Sequence, residues 1–233
     1  MTNSRSFWVT GASNGLGLAL VERLLEQGHR VAASGKDSQA LDELATHHGD
    51  RLLRLPWQLH HEHQAARASG EISRAWKSLD SLIINAGTSD YLEGAVAHND
   101  LFEKIISTNR VAGEYCLASA LPFLARGDMP QVMAIFSRYS ALQLYAPTQT
   151  TAGWNNTPQW LREQREPLKG MGIDLTVVAP QSLKTPVTSA QALPDPWTPQ
   201  NAAEELLQRL PLREPELVLE TLDPSSLWPL SRQ

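Results

Sequence analysis

Short apolar runs alternate along this chain with longer stretches in which leucine, valine and isoleucine recur at helical spacing. Phe7-Trp8-Val9 is the first short run and reads as a strand. Leu16 to Gln27 follows as an amphipathic helix, with Leu16, Leu20, Val21, Leu24 and Leu25 on one face and Gly28 as its stop. Arg30 to Ser34 is a second strand, Gly35-Lys36-Asp37 its turn, and Ser38 to Ala45 a short helix with Leu41 and Leu44 inward. Arg51 to Leu55 reads as a third strand, and His60 to Lys77 as a helix with Ile72 and Trp76 one turn apart. Leu82-Ile83-Ile84 is apolar without alternation, as in a strand covered on both faces, and Asn85-Ala86-Gly87 is expected to end it. Asp100 to Ala125 is a long helix burying Leu101, Ile105, Ile106, Leu117 and Leu121, and Gln131 to Phe136 is a fifth strand.

The pattern then lapses. Ser137 to Thr157 is a polar loop rich in Thr, Gln and Asn. Helical spacing resumes over Pro158 to Lys169, with Thr157 as cap and Pro158 at the first helical position, and Pro167 should end or kink the helix. Ile173 to Val178 is a sixth strand closed by Pro180, and Pro186 to Thr198 is a proline-containing loop. Asn201 to Leu210 is a helix, and Glu216 to Leu222 alternates like a last strand. Strands alternating with helices predict an α/β fold, a Rossmann-type doubly wound, mostly parallel seven-stranded sheet with helices on both faces, in one domain over 1–233.

Composition narrows the functional classes. The chain has 233 residues, 42% hydrophobic and 19% charged, which suits one α/β domain with a sizeable core. Its net charge of −5 offers no basic face for nucleic acid or for an anionic membrane. No apolar run approaches the ~20 residues of a membrane helix. Met1 to Ser6 is polar and lacks the pattern of a signal peptide, so a soluble cytoplasmic protein is expected. The single cysteine, Cys116, excludes an intrachain disulfide and falls in an apolar helical run, where a buried thiol is expected. His60, His61, Glu62 and His63 cluster without the i, i+4 histidine spacing of a zinc helix; they read as a solvated helix start, and no metal is expected.

The chemistry concentrates at Val9-Thr10-Gly11-Ala12-Ser13-Asn14-Gly15-Leu16-Gly17, a strand, a glycine turn and a helix start. Glycine lets the backbone turn tightly and approach a ligand closely. Unpaired N–H groups at the start of the helix attract a phosphate. Together these predict a pyrophosphate cradle at the first turn of a doubly wound fold.

Over almost its whole length the chain resembles the short-chain dehydrogenase/reductase family. The resemblance rests on Thr10-Gly11, Gly15-Leu16-Gly17, Asn85-Ala86-Gly87, Asn109 in the long helix, Val178-Ala179-Pro180 with Thr185-Pro186, and Thr198-Pro199 before the last helix and strand. It implies an NAD- or NADP-binding protein in which Gly11, Ser13, Asn14, Gly15, Leu16 and Gly17 line the pyrophosphate. Asn85, Ala86 and Gly87 would lie along the adenosine ribose, and Thr185 would hold the nicotinamide carboxamide. At the tip of the second strand an acidic side chain bonds the ribose hydroxyls of NAD, whereas a cation accommodates the 2′-phosphate of NADP. Ser34-Gly35-Lys36 occupies that tip, so NADP(H) is favoured over NAD(H), with Lys36 as counter-ion; a one-residue shift to Asp37 would reverse the preference. Gln58 stands where the family commonly places an Asp that bonds adenine. A homodimer or homotetramer is also implied. Val187, Ala190, Leu193 and Trp197 in the loop expected to cover the pocket imply a partly apolar small-molecule ligand.

The resemblance fails at the reacting centre. The family uses a Tyr acid with a Lys four residues on, a Ser, and the Asn of the fourth helix, and the Lys brings the phenol down from about pKa 10. Here the Ser position falls at Ser137 or Arg138, the Tyr position at Thr150 or Thr151, and the Lys position at Trp154 or Asn155. The tyrosines are Tyr91, Tyr115, Tyr139 and Tyr145, followed four residues on by Ala95, Ser119, Gln143 and Gln149, so no Tyr-x-x-x-Lys exists. Pro180 is followed by Gln181 rather than Gly, and Ile84 stands where an Asn usually precedes Asn-Ala-Gly. The family-equivalent positions Asn109, Ser137, Thr151 and Asn155 therefore lack the standard acid. This reading expects an NADP(H)-binding protein impaired in standard hydride transfer. Two alternatives stay open: a divergent NADP-dependent oxidoreductase drawing its proton from Tyr139, Tyr145, Ser137 or water, and a non-redox cyclase, dehydratase or isomerase on the same scaffold.

Overall fold

The computed structural model describes residues 4–86, 101–136, 157–179 and 198–218. In chain order these form β1 (Ser6–Thr10), α1 (Gly15–Glu26), β2 (Arg30–Ser34), α2 (Gln39–His48), β3 (Leu52–Leu55), α3 (Glu62–Trp76), β4 (Ser81–Ala86), α4 (Leu101–Leu124), β5 (Gln131–Phe136), α5 (Thr157–Glu163), α6 (Arg165–Gly170), β6 (Asp174–Ala179), α7 (Pro199–Arg209) and β7 (Glu216–Val218). The strands form one seven-stranded sheet in the order β3-β2-β1-β4-β5-β6-β7. Every pairing is parallel. The doubly wound, seven-stranded expectation is met, and the winding reverses between β1 and β4, where such sheets open a crevice for ligands.

Strand side chains alternate between faces, so the sheet separates two apolar layers. Trp8, Ala32, Leu55, Leu82, Ile84, Val132, Ala134 and Val177 pack with Ile72 of α3 and with Cys116, Ala120 and Leu124 of α4. Phe7, Val9, Val31, Ala33, Ile83, Met133, Ile135 and Val178 pack instead with Leu20 and Leu24 of α1 and Leu206 of α7. Cys116 is buried as expected, and burial pushes its thiol far above the ordinary range, which makes it an inert core residue.

The end of the sheet remote from the crevice is tied by Asp80, which is 7% exposed. One carboxylate oxygen accepts from the Ser6 N–H (2.7 Å) and the Ser6 hydroxyl (2.9 Å), and the other from the Asp128 N–H (2.7 Å). The residue thereby fastens β1, β4 and the turn before β5 to one another.

Several boundaries differ from the periodicity reading. Arg51 belongs to a single turn of 3-10 helix, Gly49–Arg51, and β3 starts at Leu52. The third helix starts at Glu62 and not His60, because the chain first closes a turn from the His61 N–H to the Gln58 carbonyl (3.0 Å) and His61 takes the cap position. His60 and His63 therefore do not share a helix face, and among the described residues no group of His, Cys, Asp and Glu could hold a metal. β4 runs on through Asn85 and Ala86, which pair with Ile135 and Phe136 of β5 rather than ending the strand. β6 spans Asp174–Ala179, one residue later than expected. The helix expected over Pro158 to Lys169 is two helices broken at Gln164. Pro167 has no N–H to reach back to residue 163, but it fits the first turn of a new helix, where no such bond is needed. Thr157 and Pro158, expected to start that helix, have side chains outside the description, and the continuation of the last strand towards Leu222 lies outside the described residues.

Candidate dinucleotide site

The crevice at the β1–β4 switch point is shaped by the turn between β1 and α1. Gly11 and Gly15 adopt φ values of 61° and 52°, a left-handed conformation that side-chain-bearing residues rarely take. Three hydrogen bonds among the described residues dock the turn. The Ala12 N–H donates to the Ser34 carbonyl of β2 (2.9 Å). The Asn85 N–H donates to the Thr10 hydroxyl (3.1 Å), and the Asn85 side-chain amide donates to the Gly11 carbonyl (3.1 Å). Asn85 is thus a brace between β4 and the glycine turn.

The glycines of the turn have different reasons to be glycine. A Cβ on Gly17 would lie 1.9 Å from the Gly11 carbonyl oxygen and 2.9 Å from Asn85 Nδ2, so α1 can only sit this close to the turn without a side chain there. A Cβ on Gly15 would meet nothing within 4 Å and would project into open space at the helix start. Asn14 caps α1 in an extended conformation without bonding a helix N–H, and its amide turns to the Ser13 hydroxyl (3.2 Å). The first turn of α1 carries no acidic residue, so no carboxylate of the helix competes for its amides. Ser13 is buried, Asn14 exposed, and Leu16 packs partly buried against the α1 layer of the core.

The tip of β2 presents Lys36 and Asp37, both exposed. Ser34 is 0% exposed, and its hydroxyl accepts from the Trp8 indole N–H (2.8 Å), which commits Ser34 to the core. Asp37 is bound sideways. Arg54 of β3 donates to its carboxylate (3.1 Å) and also pairs with Asp42 of α2. Gln58, beyond β3, donates its backbone N–H to the Gln64 side chain (2.8 Å). Its own Oε1 is buried without a hydrogen-bond partner among the described residues. A buried acceptor left unpaired is unfavourable, and a ligand amine would satisfy it. Beside it, Arg67 stacks 4.2 Å over the Trp57 ring.

Asn109 is buried in α4, at 5% exposure, and Ala86 is buried at the end of β4. Gly87, Ser137, Thr151, Asn155 and Thr185 lie outside the described residues, as do Tyr139, Tyr145, Trp154 and Gln181. The structure therefore brings together the glycine turn, Asn85, Lys36 and Gln58 around the carboxyl ends of β1 to β4. Sequence reasoning missed Arg54 and the Trp8–Ser34 bond. Alternation gives each side chain its face, but the partners follow only from the register of the neighbouring strands. Arg54 pairs with Ala33 and shares its face with Leu52, the face that α2 covers, while Trp8 pairs with Ala32, two residues before Ser34.

Residues 6–194 match the model of the short chain dehydrogenase family. The chain belongs to that family. Among curated relatives it is 28% identical over 219 residues to the 2-(R)-hydroxypropyl-CoM dehydrogenase of Xanthobacter autotrophicus, covering 91% of this chain and 85% of that one. It is 26% identical over 178 residues to the NADP-dependent 3-hydroxy acid dehydrogenase YdfG of Escherichia coli, covering 74% and 70%. The fold is shared with a metagenomic short-chain oxidoreductase solved with NADP (TM-score 0.67, 18% identity, 94% of this chain and 98% of that one). It is equally shared with the 3-ketoacyl-(acyl-carrier-protein) reductase of Brucella melitensis solved with NADH (TM-score 0.68, 19% identity, 94% and 97%). Among the described residues no helix is long and apolar enough to cross a membrane.

Proposed function

We propose that this short-chain dehydrogenase family member binds NADP(H) at the β1–β4 crevice and is impaired in the family's standard hydride transfer. The observation that carries the binding half is the glycine turn. Its backbone is fixed by Asn85 and by the close contact of Gly17 with Gly11, while the Gly15 position opens into space at an α1 start free of acidic side chains. The residues suit the dinucleotide. Gly11, Ser13, Asn14, Gly15, Leu16 and Gly17 would hold the pyrophosphate, and Lys36 would face a 2′-phosphate. The unpaired Gln58 Oε1 would accept from the adenine amino group, with Asn85, Ala86 and Gly87 along the ribose and Thr185 at the carboxamide. When bound, the nicotinamide would supply the hydride chemistry. NADP-dependent relatives support the choice of cofactor.

The impaired half rests on the sequence. No tyrosine is followed four residues later by lysine, and Thr151 and Asn155 stand at those positions. A threonine hydroxyl is far too weak an acid to replace a tuned phenol. A single-domain, cytoplasmic homodimer or homotetramer with a partly apolar second ligand completes this reading. The dehydrogenase names of the relatives support a second reading, an active oxidoreductase with another proton donor such as Tyr139 or Tyr145.

Titration with NADPH and with NADH, followed by tryptophan quenching and by the melting temperature, tests the binding half. Saturable binding with NADPH preferred is expected, and no response to either nucleotide at millimolar levels overturns it. A panel of carbonyl substrates should consume no NADPH above a protein-free blank. Turnover lost in Tyr139→Phe or Tyr145→Phe would establish the second reading instead.

A further inference from the structure

The tip of β2 carries two residues of opposite sign, and they favour opposite cofactors. Lys36 suits a 2′-phosphate, whereas the carboxylate of Asp37 suits the free ribose hydroxyls of NAD and repels a phosphate. The structure shows how Asp37 is held. Ser38 caps α2 by accepting the Leu41 N–H (3.3 Å), which fixes the turn directly after Asp37. Arg54, in register with Ala33 on the neighbouring strand, lies on the face that α2 covers. From there its guanidinium reaches the Asp37 carboxylate at 3.1 Å and pairs with Asp42 one turn into α2. A planar guanidinium presents several donors at fixed angles, so one Arg can hold two carboxylates at once. Arg54 is 33% exposed at its side chain, whereas Asp37 and Asp42 are 62% and 60% exposed. The half-buried cation is therefore the fixed partner, and the two exposed carboxylates are drawn to it.

We propose that Arg54 is a specificity-determining positioning residue: by holding Asp37 against β3 and α2 it withdraws that carboxylate from the ribose pocket and leaves the tip to Lys36. The proposal rests on the NADP(H) reading above. It makes Asp37 a latent NAD determinant that is masked by a residue of another strand, beyond the reach of any local motif at the tip.

The test is a binding experiment on the full chain, with NADPH and NADH and with the fragments 2′,5′-ADP and 5′-AMP, by calorimetry, on the unmodified protein and on Arg54→Gln, Asp37→Asn and the double variant. Arg54→Gln should lower the preference for the 2′-phosphorylated member of each pair about fivefold, the size of one exposed charge interaction. Asp37→Asn alone should keep the preference. The double variant should recover it, because the harmful carboxylate is gone. A merely structural role for Arg54 would lower both affinities together, leave their ratio unchanged, and so overturn the proposal. A double variant as poor as Arg54→Gln would also overturn it, since Arg54 would then be touching the phosphate itself. An unmodified protein that binds neither nucleotide, or that prefers NADH, refutes the NADP(H) reading and this inference with it. That result is read from the parent alone and is distinct from any failure among the variants.

Discussion

The two sides of the crevice are specified by different kinds of residue. The β1–α1 side is a backbone structure. Gly11 and Gly15 supply positive φ, Gly17 lets α1 close on the turn, and Asn85 and Ser34 brace it from the neighbouring strands. Gly17, Asn85 and Ser34 also hold β1, α1, β2 and β4 together, so the turn persists as long as the sheet does. The reacting side is proposed to lack the phenol and ammonium of the family, with Thr150 or Thr151 and Trp154 or Asn155 at the corresponding sequence positions. Side chains that serve a reaction can change without disturbing the core, whereas a glycine under a carbonyl cannot. A dinucleotide fold is thus a weaker statement about turnover than about binding.

Installing the missing pair should have the largest effect. Thr151→Tyr with Asn155→Lys should raise NADPH consumption with a carbonyl panel by on the order of a hundredfold, the usual scale of one positioned acid. An unmodified chain already as fast as the double variant would erase the contrast between the two sides. On the cradle side, Gly17→Ala should lower stability by about 3 kcal/mol, because its Cβ has to displace the backbone of the turn. Gly15→Ala should lower stability by only about 1 kcal/mol, from its positive φ, yet weaken NADPH binding severely by filling the cradle. Chemical denaturation and nucleotide titration on the pair separate the glycine that holds the fold from the glycine that makes room. At the opposite end of the sheet, Asp80→Ala leaves the Ser6 and Asp128 N–H groups without their acceptor and should cost about 2 kcal/mol. Its residual folded population should bind NADPH normally, since the crevice lies at the other end of the strands.

The smallest effect concerns pH. Burial, then the neighbouring Arg5, holds His29 below the ordinary value of 6.5, and its Nδ1 accepts the Arg5 N–H (3.3 Å), which requires a neutral ring nitrogen. The unfolded chain therefore binds the proton more readily. The stability His29 contributes is complete above pH 6.5 and is lost as the pH falls from there through the lower folded value. Melting temperatures should decline across that window, and His29→Gln should flatten part of the decline. His48, also lowered by burial and by Arg51, supplies a slope of the same sign that remains in the variant.

The order and type of nearly every described element were legible because buried parallel strands and amphipathic helices leave opposite rhythms in the sequence. Boundaries set by single hydrogen bonds were not legible. The turn from His61 to Gln58 delays α3, and the register of β4 with β5 carries Asn85 and Ala86 inside the strand. At the site, the glycines could be read because their conformation is local. Arg54 could not, because its meaning depends on which strand lies beside β2 and which helix covers that face. The buried Oε1 of Gln58 likewise becomes visible only once the fold has set Gln64 against its backbone N–H.

Nicotinamide fluorescence, followed while protein is titrated into NADPH and a carbonyl panel is then added to the complex, probes a retained nucleotide turn and a missing acid in one experiment. A saturable change on binding is expected, followed by a signal that decays no faster than the protein-free blank. An absent binding response, or a decay driven by the protein, would contradict it.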